Sequence, residues 1–408
     1  MGCLQRERQV TETISLSAAC CIVGGGPAGM MLGYLLARAG VGVVVVEKHA
    51  DFLRDFRGDT VHPSTLQIMH QLGLLDELLT LPHQRAGKLH AEMNGKEVTM
   101  ADFSRLPVKC RFIAFMPQWD FLNFLASKAA ALPDFTLLRS ARFEDFLIED
   151  GRICGVRALT PNGPLEIRSP LVVGADGRRS KVREKATLTG CAFGAPRDVL
   201  WFRLAKRPDD PAWSMGHTGP KQNFILIDRG DFWQCGLSIA KGDYQAIVNA
   251  GLEALKQQIA QVSQFDTGRL AELRDWDEIK LLEIRIDRLD VWAKPGVLCI
   301  GDAAHAMSPV GGVGVNLAIQ DAVAAANVLT LPLRNNTLTL NDLHKVQRRR
   351  DFPTRATQFL QIKMSGKKRR KKSSAMPKLV RRLPFFPHVF GWIIGLGFRR
   401  ERPRDFNR

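Results

Sequence analysis

Tyrosine is nearly absent: Tyr34 and Tyr244 are the only two in 408 residues. Cysteine is present but unpatterned. Cys3, Cys20, Cys21, Cys110, Cys154, Cys191, Cys235 and Cys299 form no C-x-x-C pair and no regular framework. That speaks against a disulfide scaffold and for buried thiols in a reducing compartment such as the cytoplasm. The nine histidines give no H-E-x-x-H or related spacing, so no metal site is expected. No run reaches the roughly 20 apolar residues of a membrane span. Residues 16–20 resemble a lipoprotein cleavage site, but a cut there would fall at the start of an apolar strand, so no signal peptide is expected.

What is present suits a large folded enzyme. The hydrophobic fraction of 45% and charged fraction of 24% are ordinary for a globular chain,. The length suits two interleaved lobes plus a terminal extension. The net charge of +17 is uneven: residues 366–408 hold 14 Lys and Arg against Glu401 and Asp405, a net +12. Only the tail is strongly basic, and no recognition motif accompanies it, so nucleic acid is not the expected partner.

Residues 20–23 read as a short buried strand, 30–39 as a helix and 43–46 as a second buried strand. Between the first strand and the helix, Gly24, Gly26 and Gly29 fit G-x-G-x-x-G, with Ala28 inside the loop. The first glycine permits the tight turn, the second a close backbone approach to a pyrophosphate, and the third close packing of helix on strand. The helix N-terminus then presents free N–H groups to the phosphates. Glu47, followed by Lys48, ends the second strand, where a carboxylate accepts hydrogen bonds from ribose hydroxyls and repels a 2′-phosphate. Strand, helix, strand and acid together indicate dinucleotide binding. The loop alone leaves FAD and NAD open.

Further along, residues 66–79, 119–131, 244–262 and 316–329 read as helices. Residues 88–100, 135–160 and 171–173 read as strands, and 191–240 as short strands rich in Trp and Phe. Two more strand-to-turn motifs follow. Leu171-Val172-Val173-Gly174-Ala175-Asp176-Gly177-Arg178-Arg179-Ser180, with Arg183 beyond, resembles the "DG" motif of the group A flavin monooxygenases, the para-hydroxybenzoate hydroxylase family. Gly301-Asp302-Ala303-Ala304-His305 resembles the same family's "GD" motif.

The resemblance spans roughly residues 20–329 and implies a cofactor and a site. It makes Asp176 a residue near FAD and Asp302 a partner of a ribityl hydroxyl. The loop Pro309, Gly311, Gly312, Gly314, Val315 and Asn316 would bring backbone N–H groups to the flavin and shape its substrate side. Arg57 would approach the pyrophosphate and Gln118 the ribityl-phosphate region. His305 is read as structural. No second G-x-G-x-x-G is present, which fits a family whose NAD(P)H binds transiently.

The implied fold is α/β. A Rossmann-like FAD-binding domain (17–87, 109–190 and 276–330) interleaves with a mixed-sheet α+β substrate domain (88–108 and 191–275). A helical, basic C-terminal extension (331–408) completes it. The implied reaction uses NAD(P)H and O2 to oxygenate an aromatic or polyketide-like molecule through a flavin hydroperoxide. A tyrosine relay for phenol deprotonation lacks an obvious participant. Trp201, Phe202, Trp213, Phe224, Phe232 and Trp233 suggest an apolar pocket or core, with Arg203 and His217 as polar candidates.

Two other readings stay open: a flavin reductase of isoprenoid double bonds, and a flavin-bearing interaction protein without turnover. The tail pairs the basic run 367–372 with an apolar segment at 383–397. It suits docking on the body with a solvated linker, or peripheral contact with an anionic membrane.

Overall fold

The structure, a computed structural model, describes residues 14–53, 60–93, 96–210, 215–218, 223–263, 265–365 and 385–406. Cys3, Arg57, Trp213, the turn at 94–95 and the basic run at 367–372 lie outside them.

Apolar runs too short for helices build a six-stranded sheet. Its order is Ala293–Lys294, Val297–Cys299, Val172–Gly174, Cys20–Val23, Val43–Val46, Phe135–Leu138. All neighbours are parallel except the first pair. Cys20–Val23, Val43–Val46 and Val172–Gly174 are buried throughout, as expected of parallel strands covered on both faces. The helix Pro27–Arg38 packs between this sheet, the helix Gln118–Ala130 and the long helix Val313–Arg334. Tyr34 is part of that core.

A second, seven-stranded sheet runs Lys280–Leu282, Arg197–Ala205, Phe232–Ala240, Asn223–Asp228, Met215–Thr218, Lys88–Met93, Lys96–Asp102. Because Lys280–Leu282 pairs with Val199 to Trp201, this sheet reaches past residue 275. Strand alternation sorts its aromatics. Phe202, Phe224 and Trp233 face Leu255 and Ile259 of the helix Leu252–Val262 and form core there. Trp201, Ile225 and Ile227 face the other way. Half of the aromatic set is thus packing on the far side of the sheet.

Several helices differ from their periodicity. The one expected over 66–79 is two, Pro63–Gln71 and Leu75–Leu78, broken where Gly73 takes φ +75°. The one expected over 244–262 breaks at Gly251, φ +92°. The stretch Val310–Arg334 is, contrary to the reading of the sequence, long and apolar enough to cross a membrane by length and composition; 72% of its apolar window is buried inside the protein, as a core helix requires.

The C-terminal region docks on the body. The helix Leu340–Ser365 packs along Val313–Arg334, and Phe386–Gly395 packs on the strand Lys96–Asp102. Gly391 permits the second contact: a Cβ there would lie 2.2 Å from the Asp102 carbonyl oxygen. Phe390, Ile394 and Leu396 join Phe103, Leu106, Ile113 and Phe115 in one apolar cluster. His62, fully buried, donates from Nδ1 to the Ile394 carbonyl at 2.8 Å.

Two consequences are measurable. Gly391→Val should undock the last helix and cost about 1–3 kcal/mol, the usual range for overpacking, read as a lower urea midpoint; an unchanged midpoint contradicts this packing. Burial lowers the His62 pKa from 6.5 to about 4, partly offset by the Ile394 and Gly312 carbonyls. The folded state therefore holds this imidazole neutral while the unfolded chain protonates near 6.5. Its contribution is complete above pH 6.5 and is lost between 6.5 and about 4, up to roughly 3 kcal/mol. His62→Gln should flatten that part of the stability–pH curve.

Candidate active site

The three glycine-bearing motifs meet at the carboxyl ends of the parallel strands, where α/β sheets bind ligands. Gly24 takes φ +110°, and a Cβ on it would lie 2.5 Å from the Ala175 carbonyl oxygen, so the first loop and the Asp176 loop touch backbone to backbone. A Cβ on Gly29 would lie 1.9 Å from Gly24 O, which fixes the helix against the loop. Ala28 packs beside Gly301, where a Cβ would come within 3.2 Å of the Ala28 Cβ.

The N-terminus of Pro27–Arg38 has no side-chain cap and no acid in its first turn. A Cβ at Gly26 would find only Ala175 O, at 4.0 Å. Uncapped N–H groups opening on free space fit a pyrophosphate. Glu47 lies below, its two oxygens accepting from Gly25 N at 2.9 Å and His49 N at 3.0 Å. A carboxylate has about four acceptor sites, so capacity remains for a ribose hydroxyl. Lys48 is exposed beside it, and Gln118 is half-buried at the start of Gln118–Ala130.

Asp176 has a structural task as well as its position. It accepts from the Ser180 hydroxyl at 2.5 Å and from Lys181 N at 2.7 Å, organising the start of the helix Lys181–Lys185. Burial raises its pKa despite these bonds. Arg183 pairs with Asp287 at 2.9 Å, which ties this helix to the strand Asp287–Leu289. Arg178 reaches the Glu283 carbonyl at 3.1 Å and stands 3.8 Å from the half-buried Asp302 carboxylate, so the two acidic motifs face each other across one arginine.

The segment from Gly301 to Gly314 carries the densest set of contacts. The buried carboxylate of Asp321 accepts from Gly301 N at 3.1 Å, from His305 Nε2 at 2.5 Å and from Arg350 Nε at 2.8 Å. Burial alone would raise the Asp321 pKa, but His305 and Arg350 outweigh it and hold the carboxyl below its ordinary value. His305 is thus a strut of the loop.

Gln358 Nε2 donates to the carbonyls of Asp287 and Ala306, at 2.8 and 2.9 Å. Gln361 accepts from Ser308 N at 3.2 Å and donates to Ser308 O at 2.8 Å and Val310 O at 3.0 Å. Gly311 and Gly312 take φ +79° and +64°, and the Thr60 hydroxyl donates to Gly312 O at 3.1 Å.

Pro309 is exposed, while Gly314 and Val315 are half-buried at the first turn of Val313–Arg334. That turn has no acid and no side-chain cap, which leaves its positive end for an electron-rich partner. Asn316 departs from the sequence reading: its Oδ1 accepts from the Ser64 and Thr65 hydroxyls, both at 2.6 Å, so that oxygen joins two helices. Among the described residues, sequence reasoning missed Asp321, Arg350, Gln358, Gln361 and His62. One signal was available, because an aspartate inside an alanine-rich helix requires a buried partner.

The comparisons agree with this geometry. Residues 17–359 match the family described as FAD binding domain. The chain is 32% identical over 380 residues to a 6-methylpretetramide 4-monooxygenase of Streptomyces rimosus, covering 90% of each. It is 24% identical to a para-nitrophenol 4-monooxygenase of Pseudomonas sp. (strain WBC-3), over 88% of this chain and 90% of that one. An anhydrotetracycline hydroxylase structure from Streptomyces rimosus shares the fold with a TM-score of 0.76 at 20% identity, over 93% of this chain and 76% of the other. A p-nitrophenol 4-monooxygenase structure from Pseudomonas putida DLL-E4 does so at 0.75 and 19%, over 94% and 97%. Relatives named as monooxygenases fit that reading, and neither the isoprenoid reductase nor the interaction protein. The glycine fingerprint, the two facing acidic loops and the match across most of the chain lead to one conclusion: this protein belongs to the FAD-binding-domain family of group A flavin monooxygenases and is an FAD-dependent oxidoreductase.

Proposed function

We propose that the chain uses NAD(P)H and O2 to hydroxylate an aromatic, polyketide-like molecule held between the Pro309–Gly312 loop and the inner face of the seven-stranded sheet. The observation that carries this is an apolar wall. Trp201 packs with Ile284, Ile286 and Ile362. Ile227 packs with Val313 and Phe390, linking the sheet to the loop and to the last helix. A Cβ on Gly236 would come within 2.8 Å of the Trp201 ring, so glycine lets the indole lie flat against the strand. A flat aromatic wall suits a planar ring system. The relatives are named for oxygenating 6-methylpretetramide and para-nitrophenol, which supports the same substrate class.

When bound, FAD supplies hydride acceptance and activation of O2. In this reading the residues have separate tasks. Gly24, Gly26, Ala28 and Gly29 open the helix N-terminus to the pyrophosphate, with Arg57 approaching it. Glu47, with Lys48 alongside, takes the adenosine ribose. Gln118 and Asp302 take the ribityl chain, and Asp176 fixes the strand end between them. Backbone N–H groups at Gly314, Val315 and Asn316 hold negative charge on the ring, while Gly301, Gly311 and Gly312 allow the loop its turns. Pro309 and the apolar wall exclude water from the reacting face. Tyr34 lies in the core of the FAD domain and Tyr244 packs against the outer helices, which supports a substrate activated without a tyrosine relay.

The purified protein should be yellow, and its NAD(P)H oxidation should rise with a matching phenol, quinone or polyketide. Labelled O2 should place one labelled oxygen in the product. A folded protein that takes up no FAD, or a product without label, would overturn this function.

A second reading concerns the tail. Phe385, Val389 and Trp392 stand 54%, 52% and 47% exposed on one face of the docked last helix, next to a region of net charge +12. An apolar stripe beside dense positive charge favours an anionic bilayer surface. Vesicles of anionic lipid should retain the protein at low salt and lose it when all three residues are changed to serine. Equal retention of the triple variant rejects membrane contact through this face.

A further inference from the structure

One face of the helix Leu340–Ser365 is polar and buried. Arg350, Thr354, Gln358 and Gln361 are exposed by no more than 3%. Burying such groups is costly unless each finds a partner, and here the partners lie along one irregular stretch of backbone. Arg350 meets it through Asp321 at Gly301, Gln358 at Ala306, and Gln361 at Ser308 and Val310. The helix reads the loop carbonyl by carbonyl from the first residue of the GD motif to the turn before Gly311.

Gln361 occupies the decisive end of this row. Its amide grips Ser308 on both sides, and its second donor bond goes to Val310 O. Pro309 lies between the two anchored residues, so its position is set by one side chain. The neighbouring glycines, with φ of +79° and +64°, offer little rigidity of their own.

We propose that Gln361 is a positioning residue for the reaction, fixing Pro309 and the Gly311–Gly312 turn against the flavin ring and thereby setting how efficiently activated oxygen reaches substrate. This rests on the proposed seating of the ring at that loop. It extends the functional site into a helix lying beyond the GD motif and its glycine turn. The adenosine end of the cofactor is held elsewhere, at Gly26 and Glu47, so affinity and ring placement should separate.

Gln361→Leu removes all three bonds at similar volume. Gln347→Leu is the control: Gln347 lies on the same helix and clamps backbone in the same way, accepting from Trp292 N and donating to Asp290 O, but remote from the glycine turn. Gln361→Leu should bind FAD within about threefold of wild type. It should nevertheless show an altered visible flavin spectrum and send at least about fivefold more NAD(P)H electrons to hydrogen peroxide instead of product, because small misplacements near reacting atoms are expensive. Gln347→Leu should lower the Tm while leaving spectrum and coupling as in wild type.

Gln361→Glu provides a second readout. Its carboxylate repels the two carbonyls, whereas the protonated acid can donate to one, so the wild-type spectrum should return as pH falls. Should Gln361→Leu fail to fold, this pH series decides. A wild-type spectrum and coupling in Gln361→Leu, or a spectrum of Gln361→Glu that matches wild type at every pH, overturns the assignment of Gln361 alone. A wild type that takes up no FAD overturns it together with the proposed function.

Discussion

The carboxylate of Asp321 sits at zero exposure in a helix of small apolar residues, and it survives there because three donors surround it. Gly301 supplies a backbone N–H, His305 a ring nitrogen and Arg350 a guanidinium. Removing one member of such a set leaves an uncompensated buried charge, at a cost of about 3–5 kcal/mol. Each donor comes from a different part of the chain. The carboxylate therefore joins the end of the parallel sheet, the GD loop and the C-terminal helix at one point. Glu401 extends the join, taking Arg349 at 2.7 Å and standing 3.9 Å from Arg350.

The parts of the fold legible in the sequence are those governed by local rules. Short apolar runs became parallel strands because no polar face was needed. The glycine fingerprint was readable because its spacing reflects backbone contact: Gly24 and Gly29 are forced by approaches of 2.5 and 1.9 Å. The two acidic loops could be placed beside FAD by resemblance, and the structure brings them face to face at Arg178.

The rest was hidden for a physical reason. Helix periodicity detects apolar stripes, whereas the functional stripe of Leu340–Ser365 is polar. A row of Arg, Thr and Gln reads as solvent-facing until the loop it satisfies is known. The triple arginine at 348–350 looks like a charged surface, yet Arg350 is fully buried while Arg348 lies outside it. Asn316 shows the converse. Its place in the motif suggested cofactor contact, but its side-chain oxygen is taken up by Ser64 and Thr65. Aromatic content was also ambiguous: Trp201 and Phe202 are adjacent, and strand geometry sends one toward the loop and the other into the core behind the sheet.

The distribution of anchors along the chain bears on the order of biosynthesis. The strands and turn around Gly24 leave the ribosome early and find most of their local partners within the first fifty residues. The stretch from Gly301 to Gly312 is flexible by composition and waits for Arg350, Gln358 and Gln361, and then for the Ile394 carbonyl that holds His62 beside Gly312. A nascent chain could therefore capture the adenosine end of a nucleotide long before it could hold the ring in a working orientation. Such timing keeps an incomplete chain from activating oxygen without the walls that direct it.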